Sequence, residues 1–284
     1  MKYNFMRYPG GKTKAVTFSY DDGQPADMRL CKTFTKYNLK CTFNLVGLSV
    51  EHENGLSVDF IKNEILGNGH EVANHGYNHR GQNRIRSIEG VREIVDCRIA
   101  LEKALGNIVR GFAFPDSIPK KATTPIDFAR IRNYLTDLDI VYARTAGNPP
   151  PAFSLPDDWY DWQPTAHHEA PNLFETIDEF LEIDLSKLYI ASRFPRLLYI
   201  WGHAFEFEHN NNWDRLESIC EKLSGREDIW YATNIEIYDY VTAYRSLVYS
   251  ADNTRVYNPT LIEVWFDIDG KLYSIKSGET LELR

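Results

Sequence analysis

Seven short apolar runs recur along the first 233 residues: Ala15–Tyr20, Lys40–Val46, His70–Asn74, Val109–Phe114, Ile140–Thr145, Leu197–Gly202 and Ile229–Thr233. Most are continuous rather than alternating, the pattern of strands covered on both faces. Helical periodicity fills the intervals. Ser57 stands as an N-cap before Ile61 and Ile65, one turn apart on a buried face. A longer helix follows Ser87 and presents Ile88, Val91, Val95 and Ile99 as its apolar stripe. Another runs from about Asn212 to Leu223 and stops near Gly225. Strands alternating with helices predict a parallel sheet, either a barrel or a doubly wound sheet. The last ~35 residues change period. There IEVWFDIDGKLYSI alternates around Asp269-Gly270, a hairpin signal. The expected division is one domain over 1–250 and a small β appendage over 251–284.

Composition narrows the classes. A net charge of −8 argues against a nucleic-acid or anionic-membrane surface. No stretch is apolar enough to span a bilayer, and the N-terminal residues lack the apolar core of a secretion signal, so the expected location is cytoplasmic. Cys31, Cys41, Cys97 and Cys220 are far apart and read as buried free thiols. Nothing in the pattern sets an oligomeric state.

Polar residues collect where strands end. Asp21 and Asp22, in TFSYDDG, close the first run; His75 and His79, in NHGYNH, follow the third. Pro115 and Asp116 follow the fourth, Arg144 ends the fifth, and His203, in YIWGH, follows the sixth. In a parallel barrel all strand C-termini meet at one face, where active sites are built. Two histidines at i, i+4 point the same way if their segment turns helically. With Asp22 they make a two-His, one-Asp set suited to a divalent metal. Asp21 would then be the general base and His203 a general acid. Tyr20, Tyr77, Trp159, Trp162 and Trp201 are candidates for stacking on a sugar ring. His167 and His168 are adjacent, so on a strand they face opposite sides, and substrate contact is expected of at most one, His168.

These residues resemble the polysaccharide deacetylases, the NodB-homology family of carbohydrate esterases, over roughly residues 13 to 245. TFSYDDG resembles Thr-Phe-Asp-Asp-Gly with two extra residues, Ser19 and Tyr20, before the carboxylate pair, which implies Asp21 as base and Asp22 as metal ligand. HGYNH resembles His-Ser/Thr-x-x-His, which implies His75 and His79 as the other ligands, with Gly76 in place of Ser or Thr. YIWGH resembles the late motif ending in the acid, His203, with Trp201 where the family usually has Leu. FAFPDS aligns with Phe-Arg-Pro-Pro-Tyr-Gly. It keeps Pro115, puts Asp116 at the aromatic position whose backbone N–H helps hold the oxyanion, and puts Ala113 where many members carry an arginine that steadies the base. Arg110 and Arg144 are the candidates to replace it, and Arg144 is also counted among the substrate-binding residues with Tyr20, Pro115, Asp116, Trp162, His168 and Trp201. The fourth family motif is not clear; DDWYDWQPTAHH occupies its region.

The resemblance implies a distorted parallel (β/α)7-type barrel with the hairpin appended. It implies a metal-dependent hydrolase, with zinc as the default ion, removing acetyl groups from an acetylated carbohydrate, N-acetyl before O-acetyl. A C–N hydrolase of a small amide or ureide, and a carbohydrate-binding protein impaired in catalysis, are the alternatives.

Overall fold

A computed structural model describes residues 3–52, 55–116, 128–147 and 153–283. Its strands are β1 (Asn4–Arg7), β2 (Lys14–Asp22), β3 (Thr42–Leu45), β4 (Glu71–Asn74), β5 (Gly111–Ala113), β6 (Tyr142–Arg144), β7 (Ala166–His167), β8 (Arg196–Gly202), β9 (Ile229–Tyr231), β10 (Val248–Tyr249), β11 (Arg255–Tyr257), β12 (Val264–Ile268), β13 (Lys271–Ile275) and β14 (Thr280–Glu282). Seven of them coincide with the seven runs read from the sequence. Eight strands form one parallel sheet in the order β6-β5-β4-β3-β2-β8-β7, with β9 beside β2.

The sheet curls because β2 serves three neighbours. β8 occupies one edge over Lys14–Tyr20, so the other edge is shared: β9 takes Lys14–Val16 and β3 takes Ser19–Asp22. The outer strands are then joined through one stretch. Trp162 exchanges backbone hydrogen bonds with Ala143 and Thr145 beside β6, and three residues on Thr165 donates to Tyr199 of β8. The result is a curled, half-barrel sheet wrapped in helices, as the (β/α)7 reading implied.

Period-two alternation sorts each strand into two faces. Phe18, Tyr20, Phe43, Leu198 and Ile200 point outward into the apolar layer under the helices, packed with Phe34 and Phe207. Thr17, Ser19, Asp21, Thr42, Asn44, Glu71, Tyr142, Arg144, Tyr199 and Trp201 line the interior. At the N-terminal end of the strands, the helix Asn234–Arg245 closes that interior. Asn234 N–H donates to Thr42 Oγ1 at 3.0 Å, and Ile235 N–H donates to Glu71 Oε2 at 2.9 Å. Tyr142 and Thr42 hydroxyls also donate to Glu71, at 2.6 and 2.8 Å. A buried carboxyl at a helix N-terminus thus satisfies backbone donors that the end of a helix leaves unpaired.

One helix departs from its expected face. Ser87–Leu105 forms, but Ile88 and Ile99 are exposed, and the buried stripe is Gly90, Ile94, Cys97, Leu101 and Leu105. The apolar spacing was genuine, yet the packing surface sits one position round the helix. Gly90 allows the close approach: a Cβ there would lie 2.7 Å from the Tyr134 hydroxyl. Ser57 does cap its helix, accepting from Phe60 N–H, and Ile61 and Ile65 are buried, although that turn is π-helical. Trp213–Leu223 follows Asn212 as read.

β12 and β13 form the hairpin around Asp269-Gly270, both with positive φ as a two-residue turn requires. β12 also pairs antiparallel with β1, from Asn4↔Ile268 to Arg7↔Trp265, so the two ends of the chain share one small sheet. β10, β11 and β14 form another. All four cysteines are free and buried. Among the described residues, no helix is long and apolar enough to cross a membrane.

Candidate active site

The site lies at the C-terminal ends of the strands. β2 delivers Asp21 and Asp22, and the turn after Asp22 is forced by φ values of 84° at Asp22 and 72° at Gly23. A non-glycine residue held in the left-handed region marks stored strain, which concentrates at functional sites. His75 and His79 follow β4 in a loop rather than a helix, bent by Gly76 (φ 78°) and His79 itself (φ 58°). The two rings still converge, because the bends do what a helical turn was expected to do.

Asp22 Oδ1 lies 3.5 Å from His75 Nε2 and 3.4 Å from His79 Nε2. It is buried and lacks a hydrogen-bond partner. His75 Nδ1 sits 2.9 Å from the Ala113 carbonyl oxygen, an acceptor only. The proton therefore lies on Nδ1, and the Nε2 lone pair faces Asp22. One carboxylate oxygen and two imidazole nitrogens, converging within 4.8 Å, fit a divalent metal ion.

Glu93, which the sequence reading missed, holds this loop in place. Buried on the helix Ser87–Leu105, it accepts from Asn78 N–H at 2.7 Å and Asn78 Nδ2 at 2.8 Å, while its own carbonyl accepts from Tyr77 N–H. A Cβ at Gly76 would come within 3.2 Å of Glu93 Oε2. Gly76 leaves the room that this carboxylate occupies beside the loop.

Asp21 is 2 % exposed and fully engaged. Asn44 Nδ2 donates to Oδ1 at 2.7 Å, and Arg144 Nη2 donates to Oδ2. His75 Nε2 and His203 Nε2 lie 3.8 and 3.9 Å from the same Oδ2. Burial pushes this carboxyl up, but the charges of Arg144, His75 and His203 and the Asn44 hydrogen bond outweigh it and hold Asp21 below its ordinary range. Arg144 is itself fully buried, its guanidinium carbon 4.5 Å from the Trp201 ring centroid. Arg144 thus sits on Asp21, buried rather than at the exposed surface expected of a substrate contact. Arg110 lies elsewhere, paired bidentately with Asp239.

His203 follows β8 and caps the helix Ala204–His209. Its partner, also missed in the sequence, is Glu206, three residues on. Glu206 Oε2 accepts from His203 N–H at 3.1 Å and lies 3.5 Å from His203 Nδ1. H-x-x-E is a capping-box spacing, and that was the available signal. Burial lowers the His203 pKa, but Glu206, Asp21 and Asp22 outweigh it, so His203 is held above its ordinary value. Burial pushes the Glu206 carboxyl up, but the imidazoles of His167, His168 and His203 around it outweigh this and drive it far below its usual range.

Several expected substrate contacts are placed differently. Tyr20 is 1 % exposed, because alternation that turns Asp21 inward turns Tyr20 outward; it stacks on His168 at 5.4 Å. Trp162 is buried among Tyr142, Trp159 and Tyr199. His168 is fully buried between Tyr20 and Phe207. His167 and His168 do not face opposite sides: β7 ends at His167, and both Nε2 atoms lie 3.2 Å from Glu206 Oε2. Trp201 lies beside His203, with ring centroids 5.9 Å apart. Pro115 packs 3.5 Å from a Cβ position on Gly76, the residue after His75. Asp116 (φ 58°) accepts an ion pair from Arg84 Nη1 at 2.9 Å. Tyr77 donates to Glu51.

Residues 4–127 match the family model for polysaccharide deacetylase. No curated protein sequence matches the chain. Among solved structures, an allantoinase is similar with a TM-score of 0.59 at 13% identity, over 82% of this chain and 91% of that one. The CE4 domain of a multidomain xylanase, from the hindgut metagenome of Trinervitermes trinervoides, gives 0.51 at 16%, over 82% and 92%. A mutant of a Bacillus anthracis CE4 pseudoenzyme, with restored enzymatic activity, gives 0.50 at 17%, over 83% and 70%. These similarities are of fold. The matched residues, somewhat under half of the chain, carry Asp21, Asp22, His75 and His79; this part of the chain is similar to polysaccharide deacetylases (NodB homology), and the fold is that of the CE4 structures.

Proposed function

We propose that the chain is a metal-dependent hydrolase that removes an acetyl group from an acetylated sugar or oligosaccharide, N-acetyl in preference to O-acetyl. The observation that carries this reading is the pairing of two differently used aspartates. Asp22 offers an unpartnered oxygen to His75 and His79, while Asp21, one residue away, is held by Arg144 and Asn44 with His203 across from it.

A divalent ion on Asp22, His75 and His79, zinc by preference for this N,N,O set, supplies Lewis-acid polarisation of the acetyl carbonyl and a more acidic water. Asp21 stays ionised and accepts a proton from the attacking water as its oxygen bonds to the carbonyl carbon. The N–H of Asp116, at the turn after Pro115, is the donor proposed for the developing oxyanion. His203, kept protonated between Asp21 and Glu206, gives its Nε2 proton to the leaving nitrogen as the C–N bond breaks. The products are acetate and the free amine. Trp201, beside His203, is the aromatic retained as a sugar contact.

A second reading is supported by the Arg84–Asp116 pair, which puts charge where an aromatic stands in the family, and by the similarity to an allantoinase. It keeps the machinery and takes a small amide or ureide. Acetate release by zinc-loaded protein from N-acetylglucosamine oligomers and acetylated xylan, with a chelator control and a parallel panel of small ureides, separates the two. Chelator-sensitive acetate supports the first reading. Turnover of ureides alone replaces it with the second, and a folded, metal-bound protein that turns over neither overturns both.

A further inference from the structure

Beside the Asp22–His75–His79 set lies another group with ligand geometry: His167, His203 and Glu206, whose potential ligand atoms also fall within 4.8 Å of one another. Its separations, 3.2 Å from His167 Nε2 and 3.5 Å from His203 Nδ1 to Glu206 Oε2, match the 3.4 and 3.5 Å of the first set. Ligand atoms about 2.0 Å from a tetrahedral ion sit roughly 3.3 Å apart, so spacing does not tell a cation site from a hydrogen-bonded one.

The positions of the protons do. In the first set the Ala113 carbonyl fixes the His75 proton on Nδ1 and frees Nε2 for a metal. At His167 the arrangement is reversed. Its Nδ1 accepts from the Glu169 backbone N–H at 3.2 Å, so the neutral ring carries its proton on Nε2, the atom aimed at Glu206. The same Glu206 oxygen accepts from the His203 backbone N–H at 3.1 Å and has His168 Nε2 at 3.2 Å. His203 Nδ1 is buried with no hydrogen-bond partner among the described residues, and the acceptor it faces, at 3.5 Å, is Glu206 Oε2.

We propose that this second cluster holds protons and not a second cation. In it, Glu206 is a positioning residue that turns His203 so that Nδ1–H faces Glu206 and Nε2 faces Asp21. The role given to His203 rests on the hydrolase reading above. His203 then has one carboxylate at each nitrogen: Glu206 from its own helix, and Asp21 from β2 with Asp22 behind it. Across Glu206 stand His167 and His168, and the rings flanking His203 are the neutral Trp201 and Phe205. Replacing Glu206 frees the imidazole to rotate and removes the charge that keeps it protonated.

The test uses the full chain, 15N-labelled at histidine and loaded with excess zinc. Nitrogen shifts are expected to put the His167 proton on Nε2, and metal analysis to give one zinc per chain, unchanged in Glu206→Gln and His167→Ala. In Glu206→Gln the His203 pKa falls. On whichever substrate the enzyme turns over, kcat drops about 100-fold with KM nearly unchanged, and the basic limb of the pH profile moves to lower pH. Two zinc ions per chain, one of them lost in either variant, would overturn the proposal; so would a His167 proton on Nδ1, or a Glu206→Gln enzyme with the parent kcat and pH limb. If no substrate is hydrolysed the hydrolase reading fails, while the tautomers and the zinc count still decide this one.

Discussion

Arg144 and Ala113 are register partners on the neighbouring parallel strands β6 and β5, and Arg144 is the one whose guanidinium reaches Asp21. The arginine that FAFPDS lacks is supplied one strand further along the sheet, at the same height. Both positions face the barrel interior, so the lateral shift preserves the positive charge beside Asp21. Arg144→Ala leaves Asp21 buried without its cation, which costs about 3–5 kcal/mol for a broken buried pair. Moving the arginine across the register, in Arg144→Ala with Ala113→Arg, is expected to recover part of both the thermal stability and the kcat lost in the single variant. A double variant no better than Arg144→Ala, in melting and turnover assays, counts against this role.

The proposed mechanism separates the two adjacent aspartates by function. His75→Ala or Asp22→Asn should abolish zinc retention after dialysis, since each removes one of three converging donors. Asp21→Asn should keep zinc and lose turnover by about 100-fold or more, as expected for removal of a general base. Metal analysis alongside kcat distinguishes them; full activity in zinc-loaded Asp21→Asn would refute the assignment.

At the proposed metal site Glu93 would act only through the loop it holds. Glu93→Ala releases Asn78 and should weaken zinc affinity about 10- to 100-fold, the usual effect of losing a partner that orients ligands. Competition with a chromogenic chelator measures this, and an unchanged affinity would show that Gly76 and His79 hold their bends unaided.

Glu71 links stability to pH at the other end of the barrel. Burial raises its carboxyl to about 7 against an ordinary 4.5, despite donors from Tyr142, Ile235 and Thr42. A folded value above the unfolded one means that the proton stabilises the fold. The contribution is whole below pH 4.5 and is lost as pH rises through about 7. The shift corresponds to about 3 kcal/mol as an order of magnitude. Urea denaturation from pH 5 to 8 should show parent stability falling relative to Glu71→Gln; parallel curves would show that Glu71 ionises freely in the fold.

Seven of the eight parallel strands, the helices after Ser57, Ser87 and Asn212, the hairpin at Asp269-Gly270, and the sets Asp21–Asp22 and His75–His79 were legible in the chain itself. Each is a local pattern: period, turn chemistry, or a motif of a few residues. The alternation of β2 was legible too, and it already implied that Tyr20 and Asp21 take opposite faces. What local pattern could not carry was contact between distant elements. Arg144 meets Asp21 across 123 positions because β6 and β2 curl around one interior, and the choice between Arg110 and Arg144 depends on which end of the barrel each strand residue occupies. Glu93 reaches the ligand loop because the packed face of its helix lies one position away from the apolar stripe, a choice made by Gly90 against Tyr134. Whether His167 can give a lone pair to a metal rests on one backbone N–H after β7 ends. Residue types and spacing determined which chemistry this chain can attempt; close packing of strands far apart in sequence decided which groups hold Asp21, His203 and the Asp22–His75–His79 set in place.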